Sequence, residues 1–439
     1  MPKLEQTIEI AIDLLKQYRV SDYEISLSSS SGFSTSVRLG EVETLQYHLD
    51  NSFDIIVYYG QKKGHASSVD LGKDSLNKVI DAACTIAKYT QDDKYNGLAP
   101  KNEMAFSYPE LDLYHPWDID SAQSIELAKE CESIALEQNE IDNSEGSEVS
   151  SFQGEYFYAN SHGLIAKQSS TRHSLHCSLI SRRGKEKQTA YEYTTALDYK
   201  DLNSSSNIAI RAAELAQQKL GANTLESQKC PVIFTPRLSG GLFSQLLGAL
   251  GGSRQYKKST FLLNSINKKV LPESIDITEN PLSRKTLGAK AFDSDGSLKR
   301  EQYFVQNGHV KSYIMGQYSA NQLGLKTTAN SGGVSNVGVT PNFNGDLNDI
   351  IKDAHKCLVV TELMGHGVNA TTGDYSRGAL GLWVENGQIK YPVSGITIAG
   401  NLRDMLLGIV HIGTDIDSRS NVKAGSVLIN EMTVAGNTQ

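Results

Sequence analysis

The sequence predicts an α+β fold, with helices packed on antiparallel meanders through the N-terminal half and a β-rich, barrel-like domain after it. Three observations carry this. Helical and strand-like apolar periods alternate in the N-terminal half, and Asn-Gly pairs sit between β-type runs further on. Gly is frequent (37) and Pro scarce (10), which suits tight turns between strands. At 439 residues the chain exceeds one ordinary core, so two or three domains are expected.

Residues 4–18 place Leu4, Ile8, Ala11, Ile12 and Leu15 at helical spacing behind Pro2. Residues 23–68 then break into short segments such as EISLSSS, TSVRLG, VETLQYHL and FDIIVYYG, punctuated by Gly, Asp and Asn, which reads as an antiparallel meander. A second helix over about 75–89 lines Leu76, Val79, Ile80, Ala83 and Ile86 along one side. Residues 91–120 carry Pro100, Pro109 and Pro116 with Tyr108, Tyr114 and Trp117 and no period, so they read as a connection. The order then repeats, with a helix over 121–139, strands over 147–197 and a helix over 207–220. This is a pseudo-repeat of elements, not of residues. The divisions expected are 1–95, 96–225 and 226–439.

In the last part, QKCPVIFTP is a buried-type strand leading into an apolar helix (Leu242, Phe243, Leu246, Leu247, Leu250), which ends at a Gly-Gly pair and a polar, basic loop. Asn307-Gly308 and Asn386-Gly387 predict two hairpins. Short helices over 317–323 and 402–407 interrupt strands that include ITIAGN and SVLINEMTV, which would close a sheet or barrel.

Composition excludes some functions. The net charge of −8 without a long Lys/Arg block disfavours nucleic acid as a direct partner. The charged N-terminus does not resemble a signal peptide, and no run approaches the roughly 20 apolar residues of a membrane helix. A cytoplasmic protein without membrane contact is expected. Cys84, Cys131, Cys177, Cys230 and Cys357 are odd in number and form no CxxC pair, which argues against a disulfide scaffold and a structural zinc site.

Candidate chemistry is sparse. Glu362 and His366 would share a face on a helix, but LVVTELM is a β-type run and GHGVNATTGDY is loop-like. On a strand, His173 and Cys177 share a face and His176 takes the other, an incomplete metal set. Ser244 has no GxSxG surroundings and no neighbouring base. Two stretches, 251–260 and 373–378, mix Gly with Arg, Lys, Tyr, Ser or Asp and read as tight turns or as loops able to hold a peptide carboxylate or a phosphate.

The run VVTELMGHGVNATTGDYSRGALGLWVENGQIKYPVSGITIAGNLRDM, with LLGALGGSRQYKKSTFLLNS, SNVKAGSVL and the earlier SSVDL, resembles the PmbA/TldD family in its PmbA (TldE) branch. The family is also called modulators of DNA gyrase and is classed with zinc metallopeptidases. The resemblance covers essentially the whole chain. It implies a heterodimeric protease of small unfolded peptides, which matures a modified peptide antibiotic and removes an antitoxin. The peptide is implied to lie extended in a cleft, like an added strand. The TldD-type subunit carries an HExxxH zinc motif and a distant Cys ligand. Carried onto this chain, the two His fall on Ser244 and Ala249, the Glu on Gln245 and the Cys on Ala424. The resemblance therefore implies no catalytic residue, metal or cofactor in this chain and zinc in the partner subunit. A residue spacing of five also separates Ser244 and Ala249 by roughly 140° on a regular helix. The implied partner is a TldD-like zinc-bearing paralogue, or a second copy in a homodimer. Arg254, Tyr256, Lys257, Asp374, Tyr375, Ser376 and Arg377 are the candidates for peptide contact. Two other readings are a stand-alone peptide-binding homodimer and a hydrolase with an unrecognised site.

Overall fold

The computed structural model describes residues 4–436, so Pro2 lies outside the described residues. The first unit runs α1 (Leu4–Leu15), β1 (Asp22–Arg38), β2 (Glu41–Tyr59), β3 (Lys62–Ser68) and α2 (Lys73–Tyr89). The second repeats that order as α3 (Ser121–Leu136), β4 (Ile141–Asn160), β5 (Ile165–Arg183), β6 (Glu186–Ala196) and α4 (Ser205–Gln217). The pseudo-repeat of element order is present.

The short segments expected over 23–68 are instead two long strands, β1 of 17 residues and β2 of 19. Residues that look like punctuation continue the ladder, since Gly32 pairs with both His48 and Phe152, and Asn51 pairs with Ser29. Flanking strands outweigh the poor strand preference of Ser, Gly and Asn. The turn falls at Leu39-Gly40, where φ is 51° and 78°, as a tight hairpin turn requires.

Pairing of β1 with β4 joins both meanders into one antiparallel sheet, ordered β3-β2-β1-β4-β5-β6. Side chains alternate across it. Ile25 and Leu27 meet α1 and α2 through Ile8, Ala11, Leu15, Leu76, Ile80 and Ala83. Val37, Val149, Leu175 and Cys177 meet α3 and α4 through Ala128, Cys131, Ile208 and Ala212. All four helices therefore cover one face, and Glu24, Ser26, Ser28 and Ser30 point from the other. On α2 the buried stripe is Leu76, Ile80, Ala83, Cys84 and Ala87, so Ile86 is exposed rather than on the stripe.

The C-terminal part begins with β7 (Gln228–Phe234), α5 (Pro236–Ala249) and α6 (Gly252–Tyr256). There follow β8 (Ile277–Glu279), β9 (Gln302–Gln306), β10 (His309–Val310), α7 (Gln317–Leu323), β11 (Val337–Val339), α8 (Leu347–Ala354) and β12 (Cys357–Met364). The chain ends with β13 (Asp374–Glu385), β14 (Gln388–Asn401), α9 (Leu402–Leu407), β15 (Ile409–Ile412), β16 (Val422–Lys423) and β17 (Val427–Ala435). Strands β14-β13-β12-β7-β17 pair in that order, and β17 returns to β14 at Thr397–Ala435, closing a five-stranded barrel. Closure removes the free edges such strands would otherwise present. The core joins Val232, Phe234, Val360, Trp383, Ile398 and Ile429 to Leu242, Phe243 and Leu246 of α5. Both Asn-Gly hairpins form with positive φ at each residue. A second small sheet, β10-β9-β8-β11-β16, lies beside the barrel.

Candidate functional site

Helix α5 starts with Pro236 at its first position and buries Ser239, Leu242, Phe243, Leu246, Leu247 and Ala249. Ser244 is exposed, and its hydroxyl is spent on the Gly240 carbonyl at 2.7 Å. Ala249 is buried on the other side, and its carbonyl accepts from Thr260 Oγ1 at 2.7 Å and Gln255 Nε2 at 3.1 Å. The helix is regular across this span, so Ser244 and Ala249 point apart. Ala424 follows β16 and sits against the first turns of α5, its carbonyl accepting from Ser239 Oγ at 3.2 Å. A hydroxyl, an amide and two methyl groups occupy the four positions. None is an imidazole, thiolate or carboxylate, so this donor set does not fit a zinc ion.

The stretch read as a polar loop after α5 contains a short helix, α6, which periodicity over five residues could not reveal. Gln255 stabilises it from within by bonding the Ala249 and Leu262 carbonyls. Arg254 is half-buried, Lys257 is exposed, and Tyr256 meets Tyr318 edge-on at 6.3 Å. The stretch read as a loop at 373–378 is mostly the start of β13. Asp374 is exposed and accepts from Thr372 Oγ1 at 2.6 Å and Asn401 Nδ2 at 3.2 Å, bonds that hold its carboxyl below its ordinary pKa. Tyr375 is buried against Phe234, and burial pushes its phenol up to about 12 despite the nearby Arg377. Ser376 is exposed, and Arg377 is half-buried with Nε lacking a partner.

The fold brings these two stretches together. Phe261 N–H donates to the Ala370 carbonyl at 3.0 Å, and Arg403 Nε donates to the Phe261 carbonyl at 3.0 Å. Among the described residues no hydrogen bond or ion pair joins Arg254, Tyr256 or Lys257 directly to Asp374, Ser376 or Arg377.

Glu362 lies near the end of β12 and His366 in the loop beyond it, so they share no helix; Glu362 is ion-paired with Lys219. His173 is buried in β5. Its Nε2 donates to the His115 carbonyl at 2.9 Å, its Nδ1 accepts from Ser151 Oγ at 3.0 Å, and Trp117 meets its ring edge-on at 5.5 Å. Burial lowers its pKa. Cys177 shares that face and is buried beside Cys131, whose hydrogen bond, together with burial, raises the Cys177 thiol well above its ordinary value. All five cysteines are buried and free. Among the described residues no group of three or more His, Cys, Asp or Glu is placed to hold a metal ion. No helix among them is long and apolar enough to cross a membrane.

Several tertiary features carry no local sequence signal. The guanidinium carbon of Arg237, in the first turn of α5, lies 4.2 Å from the Tyr191 ring centroid, and that of Arg419 lies 4.4 Å from Tyr193. Arg419 also bonds Glu192 at 2.6 Å and Asp417 at 2.7 Å. Strand β6 is thereby clamped to the C-terminal part beside α5. A polar cavity of about 390 Å³ lies between the open sheet face and the loops around 290–299 and 331–335, lined by Ser28, Ser30, Tyr156, Gln168, Asp293 and Lys299. Lys299 and Glu279, both fully buried, pair at 3.2 Å. Burial, with the charge of Asp295, pushes Asp293 up to about 7 against hydrogen bonds from the Ser331 and Ser297 amides. Glu24, raised by burial, accepts from Tyr58 at 2.6 Å and Tyr158 at 2.8 Å. Strand alternation places Glu24 on the open sheet face, and packing of the loop around Asp295 and Gly296 against Tyr158 helps bury it; Lys299 is buried within the C-terminal part, its Nζ donating to the Ala329 carbonyl at 2.8 Å.

Known proteins resemble this chain throughout. Profiles of PmbA/TldA metallopeptidases match residues 23–87 (domain 1), 114–220 (central domain) and 227–436 (C-terminal domain). Metalloprotease PmbA of Escherichia coli O157:H7 is 40% identical over 434 residues, covering 99% of this chain and 96% of its own. The metalloprotease PmbA homolog of Haemophilus influenzae is 39% identical over 436 residues, with the same coverage. Among solved structures, a candidate modulator of DNA gyrase from Bacteroides thetaiotaomicron superposes with a TM-score of 0.93 at 26% identity, covering 100% of both chains. TldE from Thermococcus kodakarensis shares the fold at a TM-score of 0.86 and 22% identity, covering 99% of this chain and 100% of its own. Sequence and fold agree over nearly the whole length, and the chain belongs to the PmbA/TldD family of metallopeptidases.

Proposed function

We propose that this chain is a PmbA-type subunit that works with a TldD-like, zinc-bearing paralogue in the proteolysis and maturation of small unfolded peptides, and that it holds no zinc on α5. One observation carries the reading. The positions that would supply two imidazoles, a carboxylate base and a thiolate hold Ser244, Ala249, Gln245 and Ala424, two of them on opposite sides of a regular helix. Neither metal ligation nor proton abstraction is available from those groups. The chain's contribution is then to shape a cleft and complete the complex. Arg254, Tyr256, Lys257, Asp374, Ser376 and Arg377 are the groups offered to an extended peptide, and Tyr375 of the same set is buried against Phe234.

Co-expression with the paralogue tests this. The expected result is a stable complex that cleaves an unfolded peptide, with cleavage lost on chelation and zinc retained by the paralogue alone. Substituting Arg254 or Arg377 by Ala should weaken peptide binding to the complex. Stoichiometric zinc in this chain alone with chelator-sensitive cleavage would overturn the reading, as would unchanged cleavage by the paralogue without complex formation.

A further inference from the structure

Beyond α6 the chain folds against α9 and encloses a pocket of about 210 Å³. Its walls are apolar: Phe261, Leu262, Val270 and Leu406 are buried, and Leu407, 47% exposed, stands at the rim. The polar side chains that line it come from Lys268, Lys269, Arg403 and Ser265, with no carboxylate among them. Lys269 pairs with Glu273 at 2.9 Å, but among the described residues neither Lys268 nor Arg403 has an acidic partner. Arg403 spends Nε and Nη2 on the Phe261 carbonyl, which leaves Nη1 unbonded among those residues. Ser265 is 1% exposed and its hydroxyl has no partner. A buried hydroxyl costs free energy until some group satisfies it.

We propose that this pocket takes the C-terminal residue of a peptide whose last side chain is apolar, such as Leu, Met or Phe. The walls remove that side chain from water. Lys268 and Arg403 supply the charge that meets its carboxylate, and Ser265 supplies a hydrogen bond. The volume admits one side chain of that size but no long acyl chain, which sets a fatty acid aside. A free amino acid is also disfavoured, because its ammonium group would lie among three cations with no unpaired carboxylate to meet it, whereas in a peptide that nitrogen is a neutral amide. The position suits this occupant. Phe261, one wall, donates its N–H to the Ala370 carbonyl at 3.0 Å, and a Cβ on Gly373 would lie 3.2 Å from its ring. Leu402, which opens α9, donates its N–H to the Gly373 carbonyl at 2.7 Å. The pocket therefore backs onto the turn just before Asp374. An extended peptide along Asp374–Arg377 then ends at α9, an assignment that rests on the peptide-contact reading of that stretch.

Fluorescence anisotropy with the full chain tests this, using a short, unstructured, dye-labelled peptide that ends in Leu as the free acid, in Leu as the amide, or in Ser as the free acid. The Leu acid should bind at least about tenfold tighter than either of the others. Lys268→Glu, at an exposed position, should remove most of the preference for acid over amide with an unchanged melting profile. Leu407→Gln should lower the preference for Leu over Ser. With a diazirine-bearing leucine at the peptide C-terminus, photo-cross-linking should label residues within 261–270 or 402–407. Equal binding of acid and amide, a preference indifferent to Lys268→Glu, free leucine competing as well as the peptide, or a label elsewhere would each overturn the pocket. If acid and amide bind equally but both weaken in Arg377→Ala, the pocket alone fails. If the label falls in the pocket while Arg254→Ala and Arg377→Ala bind normally, the wider peptide contacts alone fail. No binding of any form overturns both.

Discussion

His173 shows what burial does to a residue that sequence alone offers as a ligand. Its ring donates to one carbonyl and accepts from one hydroxyl, which fixes the neutral form with the proton on Nε2. Burial holds its folded pKa below the ordinary value. The sign follows from linkage: where the unfolded chain binds the proton and the folded chain does not, stability falls as pH falls. Stability measured by urea unfolding should therefore drop between pH 7.5 and pH 5.5, and His173→Gln should drop by less. An equal or larger drop in the variant would show that His173 is not the titrating group. Strand alternation in the sequence placed His173 and Cys177 on one face. It could not show that Trp117, Tyr199 and the chain at His115 cover His173 while α3 and α4 cover Cys177.

At the scale of elements, α5 is the most legible part of the site. Its apolar stripe is visible in the sequence, whereas its two glycines of interest, Gly240 and Gly248, look alike there. The structure separates them. A Cβ on Gly240 would lie 2.4 Å from the Val422 carbonyl, so β16 runs too close to α5 for any side chain. A Cβ on Gly248 meets nothing within 4 Å, so that residue is not a packing glycine. Gly240→Ala should cost about 1–3 kcal/mol through overpacking, and Gly248→Ala should stabilise by about 0.5–1 kcal/mol through helix preference. Chemical denaturation checks both, and a reversed order would contradict the helix–strand packing. Helix α6 stayed hidden for a different reason. It is too short for a period and rests on the Gln255 side chain, a contact between residues whose separation in space sequence does not give.

At the scale of the molecule, the sheet and the barrel-bearing part are held together by an apolar cluster joining Tyr158, Leu164 and Ala166 to Ala289, Ala291 and Phe292, and beside it by charged contacts. Arg419 bonds Asp417 and Glu192 and lies over Tyr193, with Arg237 over Tyr191 beside it. Burial pushes the Asp417 carboxyl up, but the bonds and charge of Arg419 hold it below its ordinary value. Removing the guanidinium strands the largely buried Asp417 carboxylate and leaves Glu192 with Arg237 at 3.9 Å and the Tyr193 amide. Arg419→Ala should therefore cost about 3–5 kcal/mol, and Arg419→Lys should recover only part, since an ammonium cannot satisfy the forked geometry. Chemical denaturation measures both, and an unchanged midpoint for Arg419→Ala would show that this charged cluster does not contribute. The sequence by itself determined the α+β class, the repeated element order, the Asn-Gly hairpins, the family and the loss of ligand-bearing side chains on α5. These depend on local period, turn chemistry and residue identity, which a linear string contains. Only the tertiary structure decided that the two meanders form one sheet, that Tyr375 is buried while Asp374 is not, and that Glu24, Asp293 and Lys299 lie inside. Those outcomes depend on which surfaces meet after folding, and burial is a property of the pair of surfaces rather than of either stretch of chain.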